Sequence, residues 1–156
     1  MGRRGLFAFG VSRRVLALGA AFAGQFAPET AEAARERYEA LGPPAQTVVK
    51  EVTRAMAFDA TEYDDRVTGD VVETARDALF ASMLEVRVGS REEFEAWRDS
   101  MEYDVTEVGN ENVDSVVWHV APFADEAVAA TFHEKRRAAV GTLRRQAFGR
   151  IYREVL

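Results

Sequence analysis

The spacing of apolar residues changes period at Leu84, and that change restricts the fold more than any other feature of the chain. Up to that point the apolar positions recur every three or four residues. In "APETAEAARERYEALG" they are Ala31, Ala34, Tyr38 and Leu41. In "AQTVVKEVTRAMAF" they are Val48, Val49, Val52, Ala55 and Met56, and in a third stretch from about Asp70 they are Val71, Val72, Ala75, Leu79, Phe80 and Met83. Each set makes one stripe on an α-helix. "LEVRVG" then alternates apolar and charged residues, which suits a half-buried strand. Helices followed by strands, with no repeating βαβ unit and no glycine-rich phosphate loop, give an α+β domain.

Local signals punctuate these elements. Pro28 suits a first helical turn, and Gly42 with Pro43-Pro44 closes the first helix and opens the second. The short link makes the two an antiparallel pair. Thr68 can cap the third helix, and Ser90 with Glu93 three residues on is a capping box for "REEFEAWRDS". "YDVTEVG" and Val113–Val120 read as strands joined by Gly109-Asn110, hence as an antiparallel hairpin. From Asp125 the remainder reads as one long helix, with Val128, Phe132, Val140, Leu143, Ala147 and Ile151 on about a third of its circumference. The expectation is N-terminal helices, a small antiparallel sheet of about three strands with an inserted helix, and a long C-terminal helix. One sheet face is covered and the other is open to solvent or a partner.

With 156 residues, 47% of them apolar, the chain supports one core without staples. It has no cysteine and two histidines, which excludes disulfides, thiolate metal sites and cysteine nucleophiles. Charge divides along the chain. Residues 31–134 hold 9 basic and 24 acidic residues, net −15, and residues 135–156 are net +6. All basic residues but Lys50 and Lys135 are arginines. An acidic, lysine-poor body of this kind suits a high-salt cytoplasm.

Residues 1–25 read as a disordered or leader segment and 26–156 as the domain. "VSRRVLALGAAFAG" offers the Ser12-Arg13-Arg14 of a twin-arginine export signal and a small-x-small "AFA". Cleavage after Ala23 leaves only Val15–Ala20 as the apolar run, shorter than the roughly 7–15 residues such a region uses. The expected location is therefore the cytoplasm, with export the minority alternative. No run is long enough to span a bilayer.

No motif specifies catalysis, a cofactor or a metal. Asp59, Glu62, Asp64, Asp65 and Asp70 lack the ordered spacing of a calcium loop and read as a solvated acidic face, where Asp59 and Glu62 can open a helical turn. "HEKRR" at His133 lacks the second histidine of a zinc helix. On the strand around "ENVDSVVWHVAP", His119 shares a face with Ser115, too far along the strand for a direct bond. His119 therefore reads as a hydrogen-bonded histidine at the sheet surface, and Trp118 lies on the opposite face. Arg136, placed between Phe132 and Val140 in the apolar stripe, needs a carboxylate or must reach out to solvent. Trp118, His119, Asn112 and Arg136 are the candidate binding residues, and a small enzyme would need His119, Asn112 and Arg136 to converge on one pocket.

The stretches "FAPETAEAARERYEALGPPAQTVVKEVTRAMAF", "EYDDRVTGDVVETARDALFAS" and "NVDSVVWHVAP" together resemble a family of small haloarchaeal proteins of unknown function, over Phe26 to Tyr152. The resemblance implies a high-salt cytoplasm and carries over no catalytic residue.

Three functional classes follow. The favoured one is a non-enzymatic accessory or protein-interaction module, with a second copy or another protein as partner. The others are a nucleic-acid regulator using the basic C-terminal helix, with Phe148 and Tyr152 stacking on bases, and the small enzyme. Nucleic acid is disfavoured because the cations ring the helix and the body is acidic. The helix is expected to act as a strut whose arginines pair with the acidic helices.

Overall fold

The computed structural model describes residues 21–56 and 68–156. Ser12, Arg13, Arg14 and the apolar run Val15–Ala20 of the export-signal reading, and the acidic run from Asp59 to Asp65, lie outside the described residues. The element order is β1 (Ala21–Ala23), α1 (Ala31–Ala40), α2 (Gly42–Ala55), α3 (Gly69–Met83), β2 (Val86–Ser90), α4 (Arg91–Ser100), β3 (Asp104–Val108), β4 (Ser115–Ala121), β5 (Glu126–Phe132) and α5 (Arg136–Ala147). A π-helical turn, Phe148–Tyr152, extends α5. The chain is α+β with a long C-terminal helix.

The local signals act mostly where the sequence places them. Thr68 caps α3 by accepting from Val71 N at 3.4 Å. Ser90 and Glu93 form the reciprocal capping box of α4 at 3.1 and 2.8 Å. Pro43 and Pro44 occupy the first turn of α2, where their missing N–H groups cost nothing. The start of α1 differs from expectation. Thr30, not the stretch around Pro28, supplies its cap, accepting from Ala33 N at 3.0 Å. α2 lies chiefly against α3 and only lightly against α1.

The sheet departs further from the expectation. It has five strands in the order β1-β2-β4-β5-β3, and it is mixed. β1–β2, β2–β4 and β4–β5 are antiparallel, whereas β3 runs parallel to β5. The anticipated β3–β4 hairpin does not form, because β5 inserts between those strands. β5 is also the first part of the segment read as helix from Asp125. Ala127, Ala129 and Ala130 favour helix in isolation, but the sheet overrides that preference. Trp118 sits directly opposite Ala129 and His119 opposite Val128. Only a small side chain leaves room beside the indole. The 3₁₀ turn Pro122–Ala124 and left-handed Asp125 (φ 53°) make the connection.

Both faces of the sheet are covered, so the open face expected at β4 is absent. On one side, α1, α3 and α5 bury Ala34, Phe80, Leu143, Ala147 and Tyr152 against Val86, Val117 and Val128. Phe80 is the hub, with the rings of Phe26, Tyr38, Phe148 and Tyr152 edge-on at 5.2–6.0 Å. On the other side α4 lays Phe94 and Trp97 on Val116, Trp118, Val120, Ala127 and Ala129. The side chains of β4 thus alternate between two cores, as the pleat requires.

Candidate functional site

His119 lies in the centre of β4, fully buried beneath β2 and the last turn of α5. Its Nδ1 is 2.6 Å from the carbonyl oxygen of Glu85, and its Nε2 is 2.7 Å from the Tyr152 hydroxyl. A carbonyl can only accept, so Nδ1 carries the proton and donates it; Nε2 then accepts from the Tyr152 O–H. The π turn matters here. Its wider turn rotates Phe148, Ile151 and Tyr152 inward, in line with Val140, Leu143 and Ala147.

Charged groups ring this network at its edge. The Glu85 carboxylate is buried and lies 3.4 Å from Arg87 Nε. Arg144 Nε donates to the Leu84 carbonyl at 3.0 Å, and burial lowers its pKa. Burial also holds the His119 ring neutral, lowering its pKa to about 4, and the nearby cations Arg87 and Arg144 push the same way against the bond to Glu85. The Tyr152 hydroxyl is pushed well above its ordinary value by burial, aided by the Glu85 carboxylate. Both ring nitrogens are committed and the ring has no exposed edge. The arrangement ties β4 to β2 and α5.

The four predicted site residues do not converge. Trp118 projects to the opposite core, 5.2 Å from the Phe94 ring and 6.0 Å from Trp97. Its Nε1 has no oxygen or nitrogen partner among these rings. Asn112 is exposed in the β3–β4 turn, its N–H donating to Asn110 Oδ1 at 2.8 Å. Arg136 is the exposed first residue of α5, outside the apolar stripe that begins at Val140. Asn112 and Arg136 adjoin the Ser115–Phe132 end of the β4–β5 pair, four residue steps or roughly 13 Å from His119. His119 itself sits in the core and not at the sheet surface, as the sequence had suggested.

The expected pairing of the α5 arginines with acidic helices does not occur among the described residues. Arg145 donates to Thr142 Oγ1 at 3.3 Å, Arg150 to Gln146 Oε1 at 3.1 Å, and Arg153 stacks over Phe148 at 5.1 Å. Arg136 and Arg137 reach solvent. Among the described residues, none of these five guanidiniums meets a carboxylate. Ion pairs gather instead around α4, where Arg91 reaches Glu107 at 2.8 Å and Arg98 reaches the same carboxylate at 3.6 Å. Phe148 and Tyr152 are buried, so neither offers a ring for base stacking.

Two surface features were not legible from the sequence. A hollow of about 420 Å³ lies between the end of β5 and the start of α5, lined by Thr131, Phe132, His133, Lys135, Ala138 and Thr142. It depends on β5, which the helical reading concealed. The other is on α2. Gly42, Ala45, Val49 and Thr53 turn inward, while Val48, Val52 and Met56 are 41%, 53% and 57% exposed. Val71 at the start of α3 is 40% exposed. Of the stripe Val48, Val49, Val52, Ala55 and Met56 read from the sequence, only Val49 is buried, because α2 seats on its Gly42–Ala45–Val49–Thr53 side instead. Among the described residues no helix is long and apolar enough to cross a membrane, and no group of His, Asp and Glu is placed to hold a metal.

A family described as "Family of unknown function (DUF5809)" matches residues 25–153. No curated protein and no solved structure matches the chain.

Proposed function

The chain belongs to DUF5809, a family of unknown function, and we propose that it is a non-enzymatic protein-interaction module acting through the open apolar stripe of α2. The carrying observation is the outward row Val48, Val52 and Met56, one turn apart along the helix. Contiguous exposed apolar side chains mark association surfaces more often than isolated ones do. Glu51, exposed one turn after Val48 and paired with Arg54 at 3.0 Å, gives the row a polar edge. The partner is a protein, a second copy included.

The setting proposed is a high-salt cytoplasm. The 26 acidic residues and the near-absence of lysine support it, as does the short apolar run behind Arg13 and Arg14. Salt strengthens apolar association while it screens charge.

The test uses the purified full chain as bait in about 2 M salt, with a variant carrying Val52→Asp and Met56→Asp beside it. Retention of a defined partner, or self-association by sedimentation, should occur for the wild type and be lost in the variant. Equal behaviour of the two proteins would remove the α2 stripe as the binding surface.

A further inference from the structure

Two charged surfaces of this molecule are complementary, and among the described residues neither is neutralised. On α5, Arg136, Arg137, Arg145, Arg150 and Arg153 are exposed and meet no carboxylate among the described residues. On α1, Glu32, Glu36 and Glu39 recur at i, i+4 and i+7, which places them on one exposed ridge. None of the three is in an ion pair among the described residues. The basic residues of α1 are engaged within the fold. Arg35 Nη1 donates to the Val155 carbonyl at 3.2 Å, and Arg37 lies 5.0 Å from the centre of the Phe26 ring.

The two helices cannot turn toward each other. α1 is held to the core by Ala34, and α5 by Val140, Leu143 and Ala147. Each therefore presents its charges outward. We infer that the arginine face of α5 in one copy docks on the Glu32–Glu36–Glu39 ridge of a second copy, head to tail. The two patches are different, so the contact is heterologous and a pair leaves the acidic ridge of one copy and the arginine face of the other unused. Guanidiniums suit such a contact because their planar forks match carboxylates in pairs.

A second copy fits this face better than a polynucleotide does. Residues 31–134 are net −15, so a phosphate backbone is repelled by most of the surface it would approach. The rings that would stack on bases are buried. The inference uses surfaces other than the α2 stripe and stands or falls separately from it.

The experiment is sedimentation velocity of the full chain from about 20 mM to about 1 M salt, where the screening length falls from tens of ångströms to a few. Three further proteins are run: R145E/R150E, E32R/E36R, and V52D/M56D. The wild type should associate in a concentration-dependent way at low salt, and in V52D/M56D, which lacks the apolar stripe, that association should be lost at high salt. R145E/R150E and E32R/E36R should each lose that association, and an equimolar mixture of the two should regain it, since the reversed patches again match. V52D/M56D should keep it at low salt, which separates this contact from the apolar one. All substituted positions are exposed, so circular dichroism should report an unchanged fold. A monomeric wild type at low salt overturns the inference, as does a mixture that stays monomeric. If the wild type stays monomeric but shifts a DNA duplex that R145E/R150E does not, the arginine face reads polyanions instead.

Discussion

The Tyr152 hydroxyl stands 2.7 Å from His119 Nε2, joining the last helical turn to the central strand across 33 residues of sequence. With the Nδ1 bond to Glu85 it makes one buried chain of donors and acceptors, from the carbonyl just before β2 through the β4 imidazole to a phenol of the π turn. Every polar atom of the ring is satisfied, which is the condition for burying an imidazole without a large penalty. Burial also holds the ring neutral, because a second proton would place a desolvated charge in the core.

Stability should therefore fall in mild acid. The folded pKa of His119 is lowered to about 4 from an ordinary 6.5, so the unfolded chain takes up the proton first. The contribution is complete above pH 6.5, shrinks as pH drops, and is gone once pH passes below about 4. A shift of this size corresponds to about 3 kcal/mol. Urea melts of the wild type and of His119→Gln across this window should show a steeper decline for the wild type. Parallel curves would mean that the imidazole is not the titrating group.

The Tyr152 bond can be tested separately. Tyr152→Phe keeps the ring, which packs 5.2 Å from Phe80, but strands the Nε2 acceptor in the core. Loss of a buried partner costs about 1–3 kcal/mol. The double variant with His119→Gln should cost less than the sum of the single changes, because the two residues act through one bond. Additive losses in chemical denaturation would show that the hydroxyl and the imidazole are energetically independent.

How far the sequence discloses this fold depends on the range of each signal. The Ser90–Glu93 box and the Thr68 cap are satisfied within three residues, and both were legible. The stripe of α1 is legible as well, and that of α5 from Val140 onward, because burial on one face imposes a period, whereas Val128 and Phe132 of the stripe read for the final helix belong to β5. The identity of β5 was not. Its alanines face Trp118 and the two cores, and only knowledge of that packing explains why a helix-forming stretch is extended. The same reasoning covers the site. His119 stood out as a rare residue on a strand, but its partners lie 33 and 34 residues away, and no pattern connects them. Arg136 looked buried because a helix drawn from Asp125 carried the apolar stripe past it; starting α5 at Arg136 removes the turn that would have enclosed it.

The alanines of β5 give the last prediction. Ala129 is fully buried opposite Trp118, in a cluster that also holds Phe94, Trp97, Val116 and Val120. α4 presses on this face and cannot easily retreat, because Arg91 fastens it to Glu107 at 2.8 Å and to the Val113 carbonyl at 3.1 Å. Ala129→Leu slightly lowers the helical preference and does not weaken the strand preference, but it adds three methyl-sized groups against the indole. In a closely packed core such an insertion costs about 1–3 kcal/mol. The expected result is a lower urea midpoint with a changed Trp fluorescence maximum, since Trp118 must move. Ala130→Leu on the same strand should be tolerated better, because Ala130 is only partly buried and points to the other face. If the two variants lost equal stability, or Ala129→Leu lost none, the close opposition of Ala129 and Trp118 would not be what holds this segment as a strand.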